Sequence, residues 1–459
     1  MATDALPLTR RSIFAQAWPI MLGQASIPLV GVVDATVIGR TGDTPALAGV
    51  ALGATIVTLI FWSFGFLRMG MTGLTSQAQG RGDAREVEAL LLRALAIGGG
   101  IGVVLFALQV PFANLAFSLL SGGQAVTEQA SGYVSARFIG APAALGVFAI
   151  NGWLLGLGKT RAALALQIVM NLANIGLDVL FVWSFGMGAY GVGLGTALAE
   201  WIALLSGLVV AGSVAGGGIV ATVRRTSRAT LLDRAELTKL FAVNRDIMIR
   251  TLALLFLFTW FANAGARIGA EALAANHVLM QFVNLAAFVL DAFAFTAENR
   301  VGNALGERSR ERFLRAIRLA GEFSLAAGVV LAALFLLVGD VVIAFVTTDP
   351  AVRAEAARFL PFAAAVPVLG MPSWLFDGIF IGATQGRALR NAGVVSTLLY
   401  LALDLLLRPL GNLGVWIAIS ASYLFRAGAL AVYFPALLRS VQRGETDNRL
   451  DPDADDPLG

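Results

Sequence analysis

Residues 18–43 read WPIMLGQASIPLVGVVDATVIGRTGD, and as far as Gly39 the stretch carries a single charge, Asp34. A run of this length and apolarity is what a helix needs to cross the ~30 Å hydrocarbon core of a bilayer. An ionised Asp near the bilayer centre costs roughly 2.5–3.5 kcal/mol even on the most forgiving insertion scale, so other groups must hold Asp34 there. Similar apolar runs recur along the 459 residues, of which 58% are hydrophobic and only 14% charged, with a mean hydropathy of +0.78. That composition excludes a soluble domain. Alternating strand-like segments do not repeat, which excludes a barrel. The chain is expected to be an all-α integral membrane protein.

Twelve spans are expected, at roughly 13–39, 47–74, 90–117, 130–156, 162–184, 189–213, 246–266, 275–300, 317–346, 359–384, 388–410 and 413–438. The two arginines before the first resemble the start of a signal peptide. The apolar run is too long for one, though, and no small-residue cleavage pattern follows, so it reads as a retained span. Of the 33 Lys and Arg, Arg68 and Arg426 fall within spans, and six fall in loops on one side: Arg40, Arg137, Arg267, Arg353, Arg358 and Arg408. The other 25 lie on the side that holds both termini. The positive-inside bias therefore predicts cytoplasmic termini. There is no Cys and a single His, His277, so thiol chemistry is excluded and a zinc site is not expected. His277 reads as an ordinary hydrogen-bonding residue.

The longest basic connection, 214–245, contains GGG and then RRTSRATLLDRAELTK, and it falls at the midpoint of the twelve spans. Sliding the chain against itself by 226 residues places ALAGVALG (46–53) over ALAANHVL (272–279). It also places NGWLLGLGKTRAA (151–163) over DGIFIGATQGRAL (377–389), and Asp178 over Asp404. The expected organisation is an N-lobe (1–213), a cytoplasmic linker with an interfacial helix (214–245), a C-lobe (246–438) and an unfolded acidic tail (439–459). Six spans per repeat relate the lobes by an axis along the membrane normal, an arrangement found in secondary transporters. No G-x-x-x-x-G-K-[ST] loop is present, so an ion gradient is the expected energy source.

The first span, FLRMGMTGLTSQAQGRGD at the end of the second, NLANIGLDVLFV in the fifth and FDGIFIGATQGRALRNA in the tenth together resemble a multidrug and toxic compound extrusion (MATE) transporter, most of all its bacterial DinF-like branch. The resemblance covers residues 10–440. It implies a V-shaped twelve-helix fold in the bacterial inner membrane and export of organic solutes in exchange for H+ or Na+. It also implies an N-lobe cation site at Asp34, Asn174 and Asp178, with Tyr133, Asn151 and Thr196 as further polar lining groups. Asp377 is the one clear C-lobe match, since Glu298 sits near the cytoplasmic end of its span.

The residues read by themselves agree in part. Asn174 and Asp178 are one helical turn apart and share a face, which could meet Asp34. Two carboxylates in a confined site cannot easily both ionise, which suits H+ coupling, but the same oxygens could bind Na+. Pro19 and Pro28 each remove a backbone hydrogen bond from the first span, leaving a hinge that the charge on Asp34 could bias. Asp404 has Arg408 one turn later and reads as a local ion pair. Arg68 reads as structural, countering a buried acid or snorkelling. Abundant Phe and Leu with Met21, Met69 and Met71 suit amphipathic, often cationic substrates. A lipid-linked precursor flippase is the alternative, disfavoured by scarce intramembrane Arg. A membrane enzyme lacks a catalytic constellation. One chain supplies both lobes, so a monomer suffices.

Overall fold

The computed structural model describes residues 7–119 and 123–450, and side chains except those of 119 and 444–450. The first half holds α1 (Arg10–Gly39), α2 (Thr44–Trp62), α3 (Phe66–Gly80), α4 (Ala84–Ala107), α5 (Gln109–Leu119), α6 (Gln124–Ile139), α7 (Ala141–Gly156), α8 (Thr160–Val179) and α9 (Gly188–Ala215). Two short helices, α10 (Ile219–Arg225) and α11 (Arg228–Leu231), follow. The second half holds α12 (Arg234–Ile268), α13 (Ala270–Gly306), α14 (Arg310–Val346), α15 (Pro350–Gly382), α16 (Gly386–Leu407) and α17 (Asn412–Leu450). Among the described residues there is no strand. Among the described residues eleven helical stretches are long and apolar enough to cross a membrane, and the pair α6–α7, bent by 52°, makes a twelfth if taken as one span.

Proline explains two of the breaks. Pro111 cannot donate to the carbonyl of Ala107 and its ring crowds that turn, so the expected third span divides into α4 and α5 there. Pro142 does the same to the carbonyl of Phe138, and the fourth span bends at Gly140. α1 instead runs unbroken through Pro19 and Pro28.

By their contacts the helices form two units, one of residues 22–75 and 83–238, the other of 1–21, 76–82 and 239–459. In the first, α2 packs on α6, α4 on α7, and α9 on α6, α7 and α8. In the second, α13, α14 and α15 pack on one another and α17 on α15 and α16. The core of this second unit includes Phe261, Phe282, Phe335, Tyr400 and Trp416, with Phe261 and Phe282 set edge-on to Trp416 and Phe335.

The 214–245 connection is more helical than a linker. It holds α10, α11 and the first turns of α12, and it is clipped to α4 by Arg93. That buried guanidinium donates to the carbonyls of Thr230 and Leu231 and pairs with Glu86 Oε1 at 2.6 Å. At the other end, α17 continues past 438 to Leu450, because Leu437 and Val441, one turn apart, are both buried. The tail expected to be unfolded is thus helical to that point, and residues 451–459 lie outside the described residues.

Candidate functional site

α1 and α8 each bring acid into the first unit. Asp34 is 5% exposed, Asn174 1% and Asp178 0%. The Asp34 side chain reaches Asp178 and Asn174 across the helix pair. Asn174 Nδ2 donates to Asp178 Oδ2 at 3.1 Å and to Thr196 Oγ1 of α9 at 3.0 Å. The one-turn spacing read in the sequence therefore does place both α8 groups on the face that meets Asp34. One oxygen of each residue, Asp34 Oδ1, Asn174 Oδ1 and Asp178 Oδ1, is buried without a hydrogen-bond partner among the described residues. All three acceptors belong to the one cluster, and the described residues supply none of them with a donor.

The chain around this cluster is shaped to admit it. α8 passes into a π-turn at Leu180–Ser184 directly after Asp178, and Trp183 in that turn donates its indole N–H to Val37 O of α1 at 3.0 Å. Single π-turns of this kind concentrate at functional sites. Gly195 on α9 leaves the space that Asp178 fills: a Cβ there would strike Asp178 Oδ1 and lie 3.1 Å from its backbone N. Gly53 on α2 does the same for Tyr133, whose ring edge would be 2.6 Å from a Cβ. Gly195→Val is expected to displace Asp178 and to cost about 1–3 kcal/mol of stability through overpacking, with Gly195→Ala milder. Thermal melting of the purified protein checks this, and an unshifted Val variant would refute it.

Beside the cluster lies an ion pair that the sequence reading missed. Arg137, expected in an outer loop, is buried in α6 and meets Glu200 of α9 with two bonds, Nη1 to Oε2 at 2.9 Å and Nη2 to Oε1 at 2.8 Å. Such bidentate pairs are the strong ones. Tyr133, one turn before Arg137 and 3% exposed, lies within electrostatic reach of Arg137, Asp34, Glu200 and Asp178. Of the expected lining residues, Thr196 is in the cluster and Tyr133 adjoins it. Asn151 on α7 has a buried Oδ1 with no partner among the described residues and no hydrogen bond to the cluster.

The MatE family model matches residues 19–180 and 247–406, most of both halves. The chain belongs to the MatE family. It is 35% identical over 423 residues to the DNA damage-inducible protein F of Escherichia coli K12, covering 92% of this chain and 91% of that one, which sets it in the DinF-like branch. It is 27% identical over 330 residues to the multidrug resistance protein MdtK of Edwardsiella ictaluri, covering 70% of each. Among solved structures, a MOP superfamily transporter of Pyrococcus furiosus superposes with a TM-score of 0.86 at 19% identity, over 96% of this chain and 99% of that one. The Vibrio cholerae MATE transporter VcmN, in its bent form, gives 0.82 at 20%, over 95% and 98%. The fold is that of MATE transporters, and the protein is a multi-pass membrane transporter rather than an enzyme.

In the second half of this MATE transporter, Asp377 of α15 is buried. Its Oδ2 accepts from Arg250 of α12 at 2.5 Å and lies 3.6 Å from Nε of Arg426 of α17, while Arg426 Nη2 donates to Ser373 Oγ at 2.8 Å. Arg93, Arg137, Arg250, Arg300 and Arg426 make buried arginine plentiful rather than scarce, although all of these but Arg300 face carboxylates among the described residues. Asp404 does not pair locally with Arg408. Its Oδ2 accepts from Trp260 Nε1 at 2.9 Å and from Arg267 Nη2 at 3.2 Å, both on α12. His277 is exposed and meets only Gln281, at 3.4 Å, among the described residues.

Proposed function

We propose that this transporter is a cation-coupled antiporter, with H+ as the coupling ion, which exports amphipathic, often cationic organic compounds by alternating access. Asp34, Asn174 and Asp178 form its coupling site. Three buried acceptor oxygens without donors, on residues of one cluster that holds two carboxylates, carry this reading. Each buried acceptor without a donor costs about 1–3 kcal/mol, and a proton on one carboxylate, or a Na+ among the oxygens, would offset that cost. Two facing carboxylates form the arrangement in which one proton is held between them. No cofactor takes part in such a cycle. The substrate class draws support from a relative named as a multidrug resistance protein and from a fold neighbour described as a multidrug resistance MATE family transporter.

α1 connects the coupling site to movement. Pro19 and Pro28 leave the carbonyls of Ala15 and Gln24 without their intrahelical N–H, and the passage of α1 from one unit to the other, between Met21 and Leu22, falls between them. Protonating Asp34 changes what that face of α1 can bond to, and the prolines lower the cost of bending. Solved structures of the same fold are described in bent and in straight conformations. The charge asymmetry of the loops supports cytoplasmic termini in the bacterial inner membrane, and one chain supplies both halves of the path, so a monomer suffices.

Purified protein in liposomes tests the reading by ethidium efflux under a pH gradient and, separately, under a Na+ gradient. Efflux is expected to follow the pH gradient. Pro28→Ala, which restores the missing N–H, is expected to slow efflux without changing which gradient drives it. Efflux driven by Na+ alone would make the same oxygens an ion site. If neither gradient moves ethidium, the drug-export reading fails and the flippase reading moves ahead.

A further inference from the structure

The two halves repeat at an offset of 226 residues, and the helices keep that register: the stretch 160–184 that carries Asn174 and Asp178 corresponds to 386–410. Carried across by the same offset, Asn174 falls on Tyr400, Asp178 on Asp404 and Asp34 on Trp260. Two of these counterparts meet, as their N-half equivalents do, since Trp260 Nε1 donates to Asp404 Oδ2 at 2.9 Å. The chemistry differs. The first half has two acids in side-chain contact and an amide, each with one oxygen that no donor among the described residues reaches. The second has one acid, 2% exposed, facing an indole N–H and the guanidinium of Arg267 at 3.2 Å. Arg267 is itself held, with Nη1 donating to Asn263 Oδ1 at 2.7 Å and the guanidinium over the Trp260 ring at 5.3 Å. Tyr400, fully buried on the same helix as Asp404, adds a phenol and no second carboxylate.

We propose that Trp260 and Arg267 lock the second-half copy of the site, so that cation exchange is confined to Asp34 and Asp178. The proposal rests on the coupling role assigned above to those two residues. An acid whose oxygen already accepts from an N–H and a guanidinium takes up a cation only by giving up an ion pair in a medium that penalises separated charge. An acid facing another acid gains by taking one up. Trp260 is thus the residue that decides the difference between the halves, because it replaces the second carboxylate with a donor. Arg267 completes the lock.

The test counts protons released per molecule when ethidium is added to the full-length protein in weakly buffered detergent solution. Asp178→Asn is expected to abolish the release and Asp404→Asn to leave it at the wild-type value. Trp260→Asp combined with Arg267→Gln, which opens a second acid pair, is expected to add about one proton. A loss of release in Asp404→Asn would overturn the proposal. Thermal melting gives a second reading that does not depend on transport. Asp404→Asn and Arg267→Gln should each lower Tm by about 2–4 °C, equally at pH 5.5 and pH 8.5, because the lock does not exchange protons. A Tm loss present at one pH and absent at the other would overturn it even if the double variant failed to fold. A wild type that releases no proton, with pH-independent Tm losses, would support the lock and refute only the coupling role of Asp34 and Asp178.

Discussion

Asp34→Asn is expected to abolish gradient-driven efflux, with a loss of at least about 100-fold, equivalent to ~2.7 kcal/mol of lost driving interaction. The substitution keeps the shape of the side chain and removes the exchangeable proton. It also supplies an N–H₂ group where Asp178 Oδ1 and Asn174 Oδ1 lack donors. The variant should therefore melt no lower than wild type, and it gains if one new hydrogen bond contributes about 1 kcal/mol. Loss of transport without loss of stability separates a coupling acid from a structural one, since removing a structural acid lowers both. Asp178→Asn should behave alike, with a smaller gain because Asp178 already accepts from Asn174. Wild-type coupled efflux in Asp34→Asn would sink the coupling site. The assay is efflux from liposomes alongside melting of the same preparation.

The second large effect is on folding. Arg137 and Glu200 are both buried and satisfy each other with two bonds. Arg137→Leu leaves a carboxylate in the protein interior with no counter-charge, a change that costs about 3–5 kcal/mol where it has been measured in buried pairs. Arg137→Leu combined with Glu200→Leu removes both charges and should recover most of that loss, because a buried pair replaced by apolar groups is often close to neutral. Thermal melting of the two single variants and the double variant closes the cycle. A double variant as unstable as Arg137→Leu would show that the guanidinium acts through packing and not through Glu200.

These cases show what the chain revealed in one dimension. The spans were legible because apolar length is a local property, and Asn174 with Asp178 was legible because a four-residue spacing on a helix fixes a shared face. Arg137 was not. A single arginine three residues before Gly140 and five before Pro142 looks like loop, and its partner lies 63 residues away on α9. Asp404 was assigned to Arg408 by the same local rule, yet its partner is Arg267, 137 residues earlier. Pairing across helices leaves no periodic trace. Only the internal repeat hinted at Trp260, by placing an indole where the first half has an acid.

The clip on Arg93 bears on how the protein is made. Its local partner, Glu86, is seven residues away and is synthesised with it, whereas the carbonyls of Thr230 and Leu231 follow 137 and 138 residues later. At ribosomal rates of about 5–20 residues per second, the guanidinium waits on the order of ten seconds for them. During that interval three further membrane crossings, α6–α7, α8 and α9, must be inserted, and Glu86 is what keeps a buried cation accompanied. The short helix α11 then closes on α4 like a clasp fastened last, before α12 leaves the ribosome.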